Sequence, residues 1–282
     1  QDWFRDYARL HGLPKVTFVG SAHLQDPPAQ VAAVMRQALG FSVDERRKLP
    51  TWSEALRRLI ERAEEAGVLV MASSIVGGNS HRRLDVAEFR GFALADDLAP
   101  LIFINTADSK AAQIFTLAHE LAHLWLGASG VSNVETGRVP QQQTERWCNA
   151  VAAELLAPMD ALQAELRDFE PPEQAIERLA RVFKVSSLVV LRRLFDAGRI
   201  DEETLWATYR AELQRLRVPH RDAAGGGDFY RTLGARVGKR FARAVIVSAL
   251  EGQTLFQDAF RMLGVRKTAT FYATARELGV MS

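Results

Sequence analysis

Apolar positions fall at helical spacing over the first 66 residues and switch to short continuous runs after Gly67. Trp3, Phe4, Tyr7, Ala8 and Leu10 form a stripe that predicts a first helix. A second follows Pro27-Pro28 and ends at Gly40. A third starts at a Thr51-Trp52-Ser53-Glu54 capping box and stops at Gly67. Val68 to Met71, Glu88 to Leu94 and Leu101 to Asn105 then read as strands. Asp96, Asp97 and Pro100 supply turn chemistry between the last two, so they predict a hairpin.

Helical spacing returns strongly over residues 109–126, SKAAQIFTLAHELAHLWL. Asp108 or Ser109 can cap the start and Gly127 the end. A polar loop covers 128–138, and a further helix runs from near Pro140 to about Leu156. Beyond Pro171-Pro172, residues 174–200 read as two short helices around Val185-Ser186-Ser187, a helix-turn-helix-like pair. Gly225 to Gly227 mark a linker, and residues 228–282 read as helical, with turns near Gly252, Gly264 and Gly279.

The helix over 109–126 carries His119-Glu120-Leu121-Ala122-His123. Residues four apart share a helix face, so both imidazoles can reach one metal ion, with Glu120 placed to touch a water on it. The competing reading is an ordinary helix with polar histidines. Its flanks argue otherwise, because Phe115, Leu117, Ala118, Leu121, Ala122, Leu124, Trp125 and Leu126 make it apolar nearly all round. Two histidines and a glutamate buried there need partners. A catalytic zinc takes three protein ligands and keeps one position open. Glu145, on the next helix, is the best third ligand, and Asn149 shares its face as a supporting residue. Glu154 is out of phase with Glu145 and is expected to pair with a basic group. Cys148 is also off-phase and reads as an inert buried thiol.

FTLAHELAHLWLG (115–127), followed by the E-x-x-C-N-x-x-A-A-E-L-L-x-P run from Glu145 to Pro158, resembles the ImmA/IrrE family of bacterial zinc metallopeptidases. The resemblance implies an α+β fold: a minimal zincin-like domain, a small twisted sheet plus active-site helices, with a mostly helical C-terminal extension. It implies His119, His123 and Glu145 as Zn²⁺ ligands and Glu120 as general base. It also implies an edge strand, Arg90-Gly91-Phe92-Ala93-Leu94, that pairs with an extended peptide. Family members act in gene regulation. The implied partner is a protein substrate, a helix-turn-helix repressor or a toxin partner, in stress response or mobile-element control. A non-proteolytic regulator or antitoxin using the same fold to bind is the rival reading. No Tyr or His for oxyanion stabilisation is evident; His81 and Arg83 are weak candidates. The start of the chain, at Gln1, has no helix-turn-helix pattern, which leaves an upstream domain open.

These readings divide the chain into an N-terminal helical part (1–66), a catalytic core (67–160), a helix-turn-helix-like region (161–224) and a C-terminal helical region (225–282). Composition adds limits. With 282 residues, 48% hydrophobic and 25% charged, the chain has an ordinary globular balance, and a net charge of +2 says little about nucleic acid. Residues 210–243 carry nine basic residues against three acidic ones, so DNA contact through the C-terminal helices stays open beside plain helical packing, as does a homodimer. A single cysteine fits a reducing, cytoplasmic setting. No apolar run is long enough to span a membrane.

Overall fold

The computed structural model describes residues 1–281 apart from 77–78, 133–141 and 218–235. Helices α1 (Asp2–Leu10), α2 (Pro28–Leu39), α3 (Val43–Arg47) and α4 (Trp52–Glu65) come first. Strands β1 (Leu69–Ser73), β2 (Ile75–Val76), β3 (Asn79–Arg83), β4 (Gly91–Leu94) and β5 (Leu101–Asn105) follow. Then come α5 (Lys110–Leu126), β6 (Gly130–Ser132), α6 (Gln143–Leu156), α7 (Met159–Glu165), α8 (Pro172–Phe183), α9 (Ser187–Asp196) and α10 (Glu202–Arg217). The last three helices are α11 (Lys239–Leu250), α12 (Phe256–Leu263) and α13 (Thr268–Glu277). The architecture is α+β, as expected, and no described helix is long and apolar enough to cross a membrane.

Four strands form the main sheet in the order β1-β5-β4-β6, while β2 and β3 pair separately. β5 runs parallel to β1 and antiparallel to β4, so the expected hairpin forms. Its first strand is shorter than the sequence suggests. Asp85 opens a turn, accepting from Ala87 N at 2.8 Å through its side chain and from Phe89 N through its carbonyl, and extended backbone resumes only at Gly91.

Side chains alternate across the sheet, as the two-residue period requires. Val70, Ala93, Ile102 and Ile104 face one core with α2, α4, α5 and α6. Leu69 and Leu101 face a second core built from α1 and α11–α13, with Phe4, Phe241, Val245 and Phe271 at its centre. The first helix and the last three thus cover one face of the sheet together.

Buried arginines fasten α8 and α9 to the first core. The Arg46 guanidinium donates to the carbonyls of Leu155 (3.3 Å) and Phe183 (3.1 Å), and burial pushes its pKa down to about 9. Arg193 pairs with Glu154 at 2.5 Å and donates to Ala157 O, giving Glu154 the basic partner expected of it.

Across the second core, Glu64 at the end of α4 accepts from the backbone N–H of Arg240 at 3.1 Å. Gly238 (φ 80) precedes α11 there, where a Cβ would lie 2.6 Å from Val70 O. Burial pushes the Glu64 carboxyl up to about 7, against the N–H groups and the nearby Lys239 and Arg240 charges that favour the carboxylate. The folded chain therefore prefers the acid form, and stability from this group is whole below about pH 4.5 and lost as pH rises through 7. Glu64→Gln keeps an acceptor and removes the charge. It should melt like the parent near about pH 5 and be more stable by up to about 3 kcal/mol near about pH 8.5. Thermal melts at both pH values check this; an equal difference at the two would contradict it.

Candidate metal centre

α5 is seated at every level by local chemistry. Ser109 caps it, its hydroxyl accepting from Ala112 N. Gly127 ends it in a left-handed turn (φ 68). The last-turn carbonyls of Leu124 and Trp125 accept from Gly20 N (3.0 Å) and Ala22 N (2.9 Å), and Phe18 stacks on Trp125 with ring centroids 3.8 Å apart. On the sheet side, Gly91 lets the helix come close. A Cβ there would meet Thr116 Cγ2 at 2.6 Å, Phe103 O at 2.9 Å and Glu120 Oε1 at 3.1 Å.

Three side chains converge from two helices. His119 and His123 are buried on α5, and Glu145 reaches them from the first turn of α6. His119 Nε2 lies 3.2 Å from Glu145 Oε2, His123 Nε2 lies 3.1 Å from Glu145 Oε1, and the two Nε2 atoms are 3.1 Å apart. Among the described residues this is the one cluster of metal-ligand type. Asn149, one turn along α6, meets His119 Nδ1 through Oδ1 at 2.9 Å. That bond makes Nδ1 the protonated nitrogen and turns the Nε2 lone pair inward.

Burial pushes the His119 imidazolium pKa down, with opposition from Glu145. The close His119 and His123 rings hold the Glu145 carboxyl well below the usual carboxylate range. An inward lone pair on His119 Nε2 therefore faces an ionised carboxylate, acceptor against acceptor, and a cation between them resolves the conflict. The spacing suits one: ligands about 2.0–2.1 Å from a tetrahedral zinc sit about 3.3 Å from each other. The donor set fits zinc in its chemistry as well, with two imidazoles and a carboxylate. Cys148 is buried next to these groups, and burial together with the Glu145 and Glu120 charges pushes its thiol up, which keeps it protonated and unsuited as a ligand.

The remaining sequence-based site residues fall elsewhere. β4 is not an edge strand. It pairs with β5 on one side and with β6 on the other, through Gly91↔Ser132, Phe92↔Val131 and Ala93↔Gly130. Gly91 and Ala93 are buried. Phe92 stacks on Phe103 and packs with Leu94 against the second core. Arg90 lies before the strand and pairs with Asp108 at 2.8 Å. Among the described residues, the margin of the sheet on this side is β6. His81 and Arg83 sit exposed on β3. The seat at Gly91 and the 18–22 segment capping α5 escaped the sequence reading. The glycine inside an apolar strand was the available signal.

A buried His-Glu-His helix under a small mixed sheet, with a glutamate from the following helix, is the arrangement of a minimal zincin-like fold. Residues 63–195, a little under half of the chain, match the IrrE N-terminal-like domain family, peptidase M78. Residues 237–277 match a domain of unknown function, DUF8813. The chain is 34% identical over 99 residues to the radiation response metalloprotease IrrE of Deinococcus radiodurans, covering 33% of this chain and 30% of that one. It is 36% identical over 99 residues to the protein of the same name from Deinococcus deserti, covering 33% and 35%. It thus spans about a third of the length of these curated relatives.

The seat of α5 can be tested directly. Gly91→Ala must push Thr116 and Glu120 or bend the strand, because Phe103 O is backbone. It should cost about 1–3 kcal/mol, measured by denaturant unfolding, and lower turnover in the fraction that stays folded. Unchanged stability would mean that the helix does not rest on this glycine.

Proposed function

We propose that this chain is a zinc-dependent endopeptidase acting on a specific protein, such as a helix-turn-helix repressor, in stress response or in mobile-element or toxin control. The observation that carries the reading is the convergence of His119, His123 and Glu145 at 3.1–3.2 Å, with Glu120 buried beside them over Gly91. His119, His123 and Glu145 hold the metal, and Asn149 fixes the His119 ring. Zinc, when bound, supplies Lewis acidity to a water and to a substrate carbonyl. Glu120 takes the proton as the water attacks and returns it to the departing amine. An extended substrate pairs with the outer edge of β6 (Gly130–Ser132) instead of β4, whose edges are both taken.

The test compares protein N-termini in cells expressing the chain and cells expressing its His119→Ala, Glu145→Ala variant. One or a few proteins should gain new N-termini only with the unaltered chain. Identical N-terminal profiles, with both proteins expressed and zinc supplied, would overturn the reading.

A further inference from the structure

The last three helices hold a unit that the metal centre does not use. α12 (Phe256–Leu263) and α13 (Thr268–Glu277) are joined by four residues, Gly264 to Lys267. Gly264 is left-handed (φ 67) and Val265 is buried in the turn. Ala259, Leu263, Phe271 and Ala275 lie in the core with α11. A short helix, a glycine turn with a buried apolar residue and a second helix packed on a third together make a helix-turn-helix.

Two arginines brace it. Arg236 donates to Leu263 O at 3.1 Å, the end of α12, and Arg243 to Leu278 O at 2.8 Å, the end of α13. The second helix is therefore held rigidly, and one of its faces looks outward. Arg266, Ala269, Ala273 and Arg276 follow one another at helical spacing; Arg266, Ala269 and Arg276 are exposed and Ala273 is half-buried. Lys267 and Thr268 are exposed beside them. The centre of this face is thus small, which permits close approach, and its ends are basic. None of Arg266, Lys267 and Arg276 makes an ion pair among the described residues. Arg261 on α12 adds a further exposed base, paired with Asp258 at 2.8 Å. Glu277 is the one acid on the exposed side of α13.

The contrast with the other candidates is informative. α8 and α9 share the same topology, but the exposed residues of α9 are Arg192 and Asp196, which pair with each other at 2.9 Å. Several basic residues of the run at 210–243 are engaged by other groups of the chain. Arg215 pairs with Glu212, Arg236 and Arg243 brace carbonyls, Lys239 lies 3.4 Å from Glu61 and Arg240 lies over Phe4. Arg221 and Arg231 fall outside the described residues.

We infer that α12–α13 is a duplex-DNA-binding helix-turn-helix, with α13 entering the major groove and Arg266, Lys267 and Arg276 meeting phosphates. This inference does not depend on the peptidase reading.

The test uses the full chain and a labelled mixed-sequence duplex of about 24 base pairs in about 50 mM salt, followed by fluorescence anisotropy. The chain should bind, and affinity should fall as salt rises. Arg266→Ala with Lys267→Ala should weaken binding at least about tenfold and flatten the log–log salt dependence by about 2, since each lost phosphate contact removes about 0.9. Ala269→Glu, on the exposed centre of the face, should weaken it at least as much without changing the melting temperature. Arg192→Ala and Glu120→Gln should bind as the parent does, so a dead peptidase does not confuse the result. No binding in low salt, equal affinity for the single strand, or undiminished binding by the double variant would overturn the inference. So would a second copy of the chain occupying this face, seen as a dimer in sedimentation that the double variant dissolves.

Discussion

Glu120→Gln should keep its zinc and lose cleavage by about 10²–10⁴-fold. Glu120 lies outside the cluster: the atoms that meet are His119 Nε2, His123 Nε2 and the Glu145 oxygens. Glutamine has the same shape, so the close seat over Gly91 and Thr116 is preserved. On the proposed reading, what is lost is the base that takes the proton of the attacking water. A variant at this position should bind its protein target normally and leave it whole, and in cells it should behave as a deletion for any output that needs the target destroyed. Metal analysis beside immunoblots of the target reads both halves. Full complementation with the target intact throughout would leave the chain as a binder that carries a metal site, which is the antitoxin-like alternative.

Removing ligands should do the opposite, acting on the metal first. His119→Ala with Glu145→Ala should fall from about one zinc per chain to none, because a single imidazole remains of three ligands. Stability should fall as well. Zinc binds the folded arrangement, so its loss removes a term that grows with metal concentration. Parent protein stripped by a chelator should lose activity and part of its melting temperature, and both should return with zinc. The double variant should not respond. Cys148→Ser is the control: its thiol stands beside the cluster but outside it, and zinc content should not change. Full metal occupancy in the double variant would sink the ligand assignment.

How legible these features were in the sequence depended on how local their causes are. α5 was readable almost to the residue, since Ser109, the apolar belt and Gly127 all act within the helix or one turn of it. Glu145 and Asn149 were readable for the same reason: a four-residue step on one helix places both against His119. The edge strand was misread because its neighbour is decided far away. β6 is three residues long in a polar stretch, too short to show a period, yet it covers β4. α3 was missed because five residues with four charges carry no apolar stripe; its Ser42 cap, accepting from Glu45 N at 3.1 Å, was its main local mark. The basic run at 210–243 drew attention away from α12–α13, because a count of charges cannot tell an arginine that braces a carbonyl from one that faces water.

The second core has a consequence for how the chain is made. Phe4 and Ala8 lie in it with residues 237–278, and all of them roof the sheet face that carries Leu69 and Leu101. On a ribosome, the strands and the catalytic helix emerge long before α11. Until then one side of the sheet has only α1 to cover it, and the contacts that close it, from Leu69 and Leu101 to α11–α13, span well over a hundred residues of sequence, the kind that form late. Completion of the metal centre's platform is thereby tied to the emergence of α11–α13. A chain that stops before α11 would leave the sheet face that carries Leu69 and Leu101 without these helices.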